Sequence, residues 1–458
     1  MELFITSVHK ESTEYLLGAI SKDGKVAVHS KKEFKPGTYV HVDGECGRID
    51  RDMAEIKASA IYQLKGKEKE KAKADIELFI SKNCKLRDTH IFSDQMMKKL
   101  DKYFDAAASK IQRAVFLHQP IVLRHDNDTD GLCAGLAIYG VVKGALHLKV
   151  TPQEWPLYKI LDAEADLRFL QSFEAEYLNP ILICADFGAN PESIEGYKLV
   201  KKAGFEIIVI DHHPMQDPNV KKLIDVLVSP WIYNSGSGYV TGLLSAEIAQ
   251  RISGPIPNLT KFVNAALTAD RSKLVKPTKE SEKYAEAIEY LISTSKFPQN
   301  IETFQKTIND EETIDLAYAQ AQEKIGEMLD KLKKFTKTKE YGNVSVFLVD
   351  TDKLSVRGQY PKKGVVTNAA SDFLANKLHN PAIVIGYSQR NFNIRLNTAA
   401  LKAGINGSQL VTNVKKEVSY AIEGGGGHPA ACAIRVKIGY SKLVLDQLLK
   451  EIKNIQTK

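Results

Sequence analysis

Cysteine is scarce and scattered in this chain: Cys46, Cys84, Cys133, Cys184 and Cys432, with no Cys-x-x-Cys pair. That spacing excludes the common structural zinc modules and any dense disulfide framework. An odd, dispersed set suits free thiols in a reducing compartment. Long apolar runs are missing too. No stretch reaches about 18 apolar residues, so no membrane span is expected. The opening MELFITSVHKESTEYLL has neither the basic start nor the apolar core of a signal peptide. A soluble, cytoplasmic protein is the expectation. A strong excess of one charge is also lacking. Sixty-three Lys and Arg oppose 56 Asp and Glu, a net +7, which permits a nucleic-acid partner without requiring one.

What is present is an ordinary globular composition, 43% hydrophobic and 26% charged, over 458 residues. That length is too great for one core and predicts two or three domains. Residues 1–63 alternate apolar and polar, with turn signals at Lys22-Asp23-Gly24 and Lys35-Pro36-Gly37. Several short strands in so small a space predict a small β-barrel, OB-like. The charge run KGKEKEKAKAD at 65–75 reads as a helix start or linker. Met96, Leu100, Phe104, Ala107, Ile111 and Val115 recur at spacings of three and four, which predicts a helix and makes 64–118 a helical connector.

From residue 119 the pattern changes. PIVLRHD, PILICADFGAN and FEIIVIDHHP are short apolar strands separated by helical stretches. That alternation predicts an α/β domain on a parallel sheet, 119–340, with a charged helical insertion at 276–340. Residues 341–458 supply NVSVFLVD, PAIVIGY and FNIRLN, strands of a second, smaller α/β domain.

In open parallel sheets, ligands sit beyond the carboxyl ends of the strands. Here those ends carry Asp126, Asp128 and Asp130, then Asp186, then Asp211, His212 and His213, while Asp270 follows an apolar helix. Like charges so close resist ionisation unless a counter-charge offsets them. Carboxylates with a few imidazoles suit manganese or magnesium, and two such ions about 3.5–4 Å apart serve phosphoester hydrolysis. Taken singly, Asp128 or Asp130 reads as a helix N-cap. An EF-hand loop is excluded, because position 137 is Ala and a strand precedes the motif.

In this order DNDTDG, CADFGAN, IDHHP and LTAD resemble the signature blocks of the DHH phosphoesterase superfamily. The likeness is to its RecJ-like single-strand exonucleases, the archaeal branch in particular. GGGGHPAACAI at 424–434 resembles the glycine-rich motif of the DHH-associated C-terminal domain. The resemblance implies two divalent ions, Mn2+ favoured over Mg2+. It assigns Asp128 and Asp130 to the first block of metal ligands, with either Asp126 or the neighbouring His125 joining them, and Asp186 to the carboxylate bridging the ions. His212 and Asp270 fall to the second ion. It further implies that Asp211 orients the cluster and that His213 lies beside the scissile phosphate, which with Asp186 makes the catalytic set. Arg395, Gly425, Gly426, Gly427 and His428 are the candidate substrate-binding residues. Glycines let backbone amides approach a phosphate, and an arginine forks two bonds onto one; the glycines could instead form a flexible loop, but four in a row before His-Pro favour the binding role.

The primary expectation is an exonuclease on single-stranded DNA or RNA, working in replication, repair or RNA processing. A replication or repair helicase component is the expected protein partner, and no membrane is expected. Tyr233, Tyr239 and Phe392 are candidates for stacking on bases. One alternative is a phosphodiesterase for short oligonucleotides or cyclic dinucleotides, which has little need of the barrel and the helical insertion. The other is a replisome or helicase-bound scaffold docking through 276–340, against which the full set of carboxylates speaks.

Overall fold

A computed structural model describes residues 1–50, 53–153, 156–215, 217–294, 300–356 and 358–455. The alternating first segment forms β1 (Glu2–Lys10), β2 (Tyr15–Ile20), β3 (Lys25–Ser30), β4 (Tyr39–Asp50) and β5 (Met53–Gln63). Pairing runs β1-β2-β3-β5-β4 and back to β1, so the ring closes. Only β3 and β5 run parallel; the other neighbours are antiparallel. This is the small OB-like barrel expected from the pattern. Leu3, Ile5, Leu17, Val28 and Val40 fill it.

Two helices follow. On α1 (Gly66–Asn83), Ala72, Ile76 and Ile80 pack with Ile20, Tyr39 and Leu64 beneath the barrel. On α2 (Gln95–Phe116), Met96, Leu100, Phe104, Ala107 and Ile111 are buried as their spacing predicts, while Ala114 rather than Val115 takes the last inward place. Asp94 caps this helix by accepting from Met97 N.

Next come β6 (Ile121–Asp126), α3 (Thr129–Val142), β7 (Leu148–Gln153), α4 (Ile160–Gln171), β8 (Ala175–Tyr177), β9 (Ile181–Ala185), α5 (Ile194–Lys202), β10 (Glu206–Ile210), α6 (Pro218–Lys221), β11 (Val226–Val228), α7 (Thr241–Ser253) and α8 (Leu259–Ala269). Five of these strands form one parallel sheet, β11-β10-β9-β6-β7. β9, β10 and the start of β6 are buried apolar runs because helices cover both faces, whereas the edge strand β7 is half-buried and more polar. The three-residue β8 stands apart and pairs with β1, tying this domain to the barrel. In register, His125 lies beside Ala185 and Ala185 beside Ile210. The carboxyl ends of β6, β9 and β10 are therefore level, and the residue after each emerges at one edge.

The chain divides into two compact units, one built on Met1–Lys276 and the other on Glu302–Lys458 together with the helix at 279–294. The second holds α9 (Lys279–Thr294), most of α10 (Ile301–Ile308), α11 (Glu311–Leu332), β12 (Thr336–Tyr341), β13 (Val344–Asp350), α12 (Thr351–Leu354), α13 (Lys363–Leu374), β14 (Ala382–Tyr387), β15 (Asn391–Leu396), α14 (Thr398–Lys402), α15 (Gly407–Glu417), β16 (Ile422–Gly427), β17 (Ala431–Val436) and α16 (Ser441–Ile455). Of the segment 276–340, assigned above to the parallel-sheet domain, α9, α11 and β12 pack here instead. Met328 and Leu332 of α11 share a core with Val366, Ala370 and Val384. The mixed sheet runs β12-β13-β14-β15-β17-β16. Its glycines are not a loop: Gly424 to Gly427 belong to the edge strand β16, paired with β17. Gly427 sits at φ +127°, where a Cβ would meet Ala431 O at 2.6 Å. Among the described residues no helix is long and apolar enough to cross a membrane.

Candidate metal centre

Each carboxylate at the sheet edge has a local reason for its position. Asp126 ends β6. Asp128 caps α3, accepting from Gly131 N at 2.9 Å, as an aspartate at that position should. Asp130, in the first turn, is 1% exposed. Its two oxygens accept from Thr241 N (2.8 Å) and Gly242 N (2.7 Å) at the start of α7. Asp186 leaves β9 in a left-handed conformation, φ +70°. A non-glycine residue held there is strained, and its amide donates to Ile210 O at 2.8 Å.

His212 follows Asp211 after β10. Its Nδ1 lies 2.9 Å from Ser237 O, and a carbonyl can only accept, so Nδ1 carries the proton and Nε2 offers a lone pair. That Nε2 lies 3.3 Å from Asp270 Oδ2, 3.4 Å from Asp186 Oδ1 and 3.7 Å from Asp130 Oδ2. Asp270 caps the end of α8. Among the described residues of this unit, three sets of donors result, each with its atoms within 4.8 Å of one another: Asp126, Asp128 and Asp186; Asp130, His212 and Asp270; Asp186, Asp211 and His213. Asp186 belongs to two of them. Oxygen-rich donors with at most one imidazole in a set fit a hard divalent cation.

The electrostatics support that fit. Burial, then the charges of Asp270 and Asp128, push the Asp130 carboxyl well above its ordinary range. Burial, then Asp130 and Asp128, do the same to Asp186. Such a cluster ionises fully only with positive charge among its members. Burial would raise Asp211 as well, but the charge and hydrogen bonds of His213 outweigh it and hold Asp211 low. Conversely, burial would lower His213, yet Asp211 lifts it to about 9. The two meet at 2.8 Å, His213 Nδ1 donating to Asp211 Oδ1. Burial and the neighbouring His213 lower His212, which keeps its ring neutral.

Around these groups lies a supporting ring. Thr241 Oγ1 donates to Asp186 Oδ1 at 2.8 Å. Trp231 Nε1 donates to His212 O and to Ser237 Oγ. Ser272 Oγ donates to Gly238 O. The stretch SGSGYVTG at 235–242 reads in sequence as a tight loop into a helix; it holds three of the clustered side chains, His212, Asp130 and Asp186. A helix beginning directly after glycines was the available signal. His125 stands apart from these sets. It is fully buried, with its ring against Gly135, and burial pushes it down to about 4. The five candidate substrate-binding residues are in the second unit. Arg395 lies on β15 opposite Ala431, with Nε donating to Asn368 Oδ1. Gly425 to Gly427 lie on β16, and His428 opens the turn into β17.

Residues 120–269 match the family model described as the DHH family, N-terminal domain. Among curated proteins, Uncharacterized protein MJ1198 of Methanocaldococcus jannaschii is 25% identical over 490 positions, covering 93% of this chain. The chain spans 64% of that relative's length. Among solved structures, a DHH domain described as a member of the S1p family of ribosomal proteins shares the fold with a TM-score of 0.73 at 23% identity, covering 85% of this chain and 99% of that one. RecJ of Thermus thermophilus in complex with Mn2+ gives a TM-score of 0.49 at 14% identity, covering 77% and 55%.

Proposed function

We propose that the chain, whose residues 120–269 match the DHH-family model, is a metal-dependent phosphoesterase and, within that class, an exonuclease on single-stranded DNA or RNA. The observation that supports this most is the convergence of three successive strand ends. They bring Asp126, Asp128, Asp130, Asp186, Asp211, His212 and His213 to one sheet edge, with Asp270 beside them. Asp126, Asp128, Asp130, Asp186, His212 and Asp270 would hold two divalent cations, manganese in preference to magnesium. Such cations, when bound, acidify a water and neutralise charge growing on the phosphoryl oxygens. His213 is 34% exposed and held protonated near neutral pH by Asp211. It would donate a hydrogen bond to a phosphoryl or leaving-group oxygen. Asp211 also accepts from Ala189 N and His213 N, which fixes the direction of that donor.

Charge along the chain supports a polymeric phosphate substrate. Between Lys333 and Lys458 there are twenty Lys and Arg against eight Asp and Glu. Residues 1–63 carry nine against ten, and residues 277–332 six against twelve. Attraction for a phosphate backbone therefore concentrates in the second sheet domain, where Arg395, Gly425, Gly426, Gly427 and His428 would touch it. The acidic helices before it suit a basic protein partner better than a nucleic acid. We place the activity in the cytoplasm, where five free thiols would persist.

The test uses manganese with single strands of DNA and of RNA, labelled at one end or the other, beside Asp128→Ala. Stepwise release of nucleotides from one end, absent in the variant, is expected and gives the polarity. Cleavage of dinucleotides with long strands left intact would replace this reading by the oligonucleotide phosphodiesterase.

A further inference from the structure

Residues Pro230–Tyr233 form a single 3-10 turn directly after β11. Ser229 Oγ caps it by accepting from Trp231 N, and it ends at Asn234 in the left-handed region, φ +53°. Its two aromatic side chains have different surroundings. Trp231 is hydrogen-bonded to His212 O and Ser237 Oγ, beside the metal centre. Tyr233 remains 38% exposed, with its ring edge-on to Tyr103 of α2 at a centroid distance of 6.3 Å. Only Ile232 separates the two in sequence, so the backbones of Trp231 and Tyr233 lie within about 7 Å of each other.

The helix opposite supplies charge. Lys99 and Tyr103 are one turn apart and Lys102 adjoins them on α2. Lys99 Nζ stands 5.9 Å from the Tyr233 ring centre, and Lys102 Nζ 5.0 Å from that of Tyr103. The acids of this helix are engaged elsewhere: Asp101 and Asp105 each meet Arg251 at 2.6 Å. Asp94 accepts from Met97 N and from the Tyr239 hydroxyl. That last bond, 2.5 Å long, also pins α2 to the loop whose Ser237 carbonyl holds His212. Of the three aromatics singled out in the sequence, Phe392 is fully buried and Tyr239 is tied to Asp94. Tyr233 alone presents a free part of its ring beside cations.

We propose that Tyr233, Tyr103, Lys99 and Lys102 form a nucleotide subsite beside the metal centre, in which a base of a single strand stacks on Tyr233 and the lysines take its adjoining phosphate. The inference rests on the phosphodiesterase reading above and assigns this contact to a nucleotide beyond the two joined by the scissile bond. Base stacking of this kind tolerates any sequence, so the subsite selects for length and single-strandedness rather than for a base.

The experiment measures KM and kcat of the full chain with manganese on a dinucleotide and on a single strand of about twelve nucleotides. Tyr233→Ala should raise KM for the long strand roughly tenfold while dinucleotide hydrolysis holds at its wild-type rate. Tyr233→Phe should restore the affinity. Lys99→Gln with Lys102→Gln should flatten the salt dependence of long-strand binding by about 0.7 per lost contact. An unchanged KM in Tyr233→Ala, with the wild type degrading long strands, would overturn the subsite and leave the exonuclease standing. Equal losses on both substrates would overturn it too, showing that Tyr233 props the turn carrying Trp231. A wild type that cleaves dinucleotides alone would remove the exonuclease reading itself.

Discussion

Thr241 Oγ1 donates to Asp186 Oδ1 at 2.8 Å across 55 residues of chain. From the same helix start, the amides of Thr241 and Gly242 hold both oxygens of Asp130. Two carboxylates that burial and mutual repulsion would protonate are thus kept in place by donors that require charge or lone pairs on them.

Replacing Thr241 by Val keeps the shape and removes the hydroxyl. Asp186 then loses its fixed orientation between two donor sets. Manganese affinity measured by calorimetry should fall about 10–100-fold, and Thr241→Ser should recover most of it. Wild-type affinity in the Val variant would show that the backbone alone positions Asp186.

The metal-free protein should lose stability as pH rises. Asp130 and Asp186 have folded values well above the ordinary carboxylate range. From about pH 4 up through those raised values the folded state binds more protons than the unfolded one, so stability falls across that window. His213, raised to about 9, acts in the same direction. Its pairing with Asp211 contributes fully below about 6.5 and is lost as pH passes about 9. Manganese reverses the first effect by favouring the ionised carboxylates. Calorimetric melting should therefore show a larger manganese-induced rise in Tm at pH 8 than at pH 5. Equal rises would mean that the carboxylates are not the groups that take up the ion.

The centre was readable where chemistry followed local pattern. Asp186 and Asp211 stand directly after apolar runs of four or more residues, and a level parallel sheet carries such residues to one edge. The supporting ring was not, because its contacts span the chain: Thr241 reaches Asp186, and Ser237 reaches His212. A lone Thr or Ser has no period to betray it. The strand at Gly424 to Gly427 was hidden for another reason. Glycine has poor strand propensity, and pairing with β17 overrides it. Barrel closure through β3 and β5 and the docking of β8 on β1 are likewise long-range choices that no short window records.

Gly135 offers a test in which two local effects oppose each other. It lies within α3, where Ala would be favoured by about 1 kcal/mol on helix propensity. A Cβ there would stand 2.7 Å from the His125 ring, which is buried in the strand below. Overpacking of that kind costs about 1–3 kcal/mol, so the contact should win. Gly135→Ala is expected to lower Tm; a higher Tm would mean that the strand yields freely beneath the helix.

Arg124, one residue before His125, anchors the opposite side of β6. It is 3% exposed. Its Nε and Nη2 each donate to Asp166 at 2.8 Å, and Nη1 donates to Gln153 at 2.9 Å. Asp166 is fully buried and also accepts from Lys149 and the Tyr158 hydroxyl. Arg124→Met would leave that carboxylate with two donors where it had four. Breaking a buried pair on one side costs about 3–5 kcal/mol, and Lys149 should hold the loss to the lower end of that range. Removing both charges, Arg124→Met with Asp166→Leu, leaves no buried ion behind. The double variant should therefore be more stable in urea than the single one, although it departs further from the native sequence. A double variant as unstable as Arg124→Met would show that the network holds α4 by its geometry rather than by balancing charge.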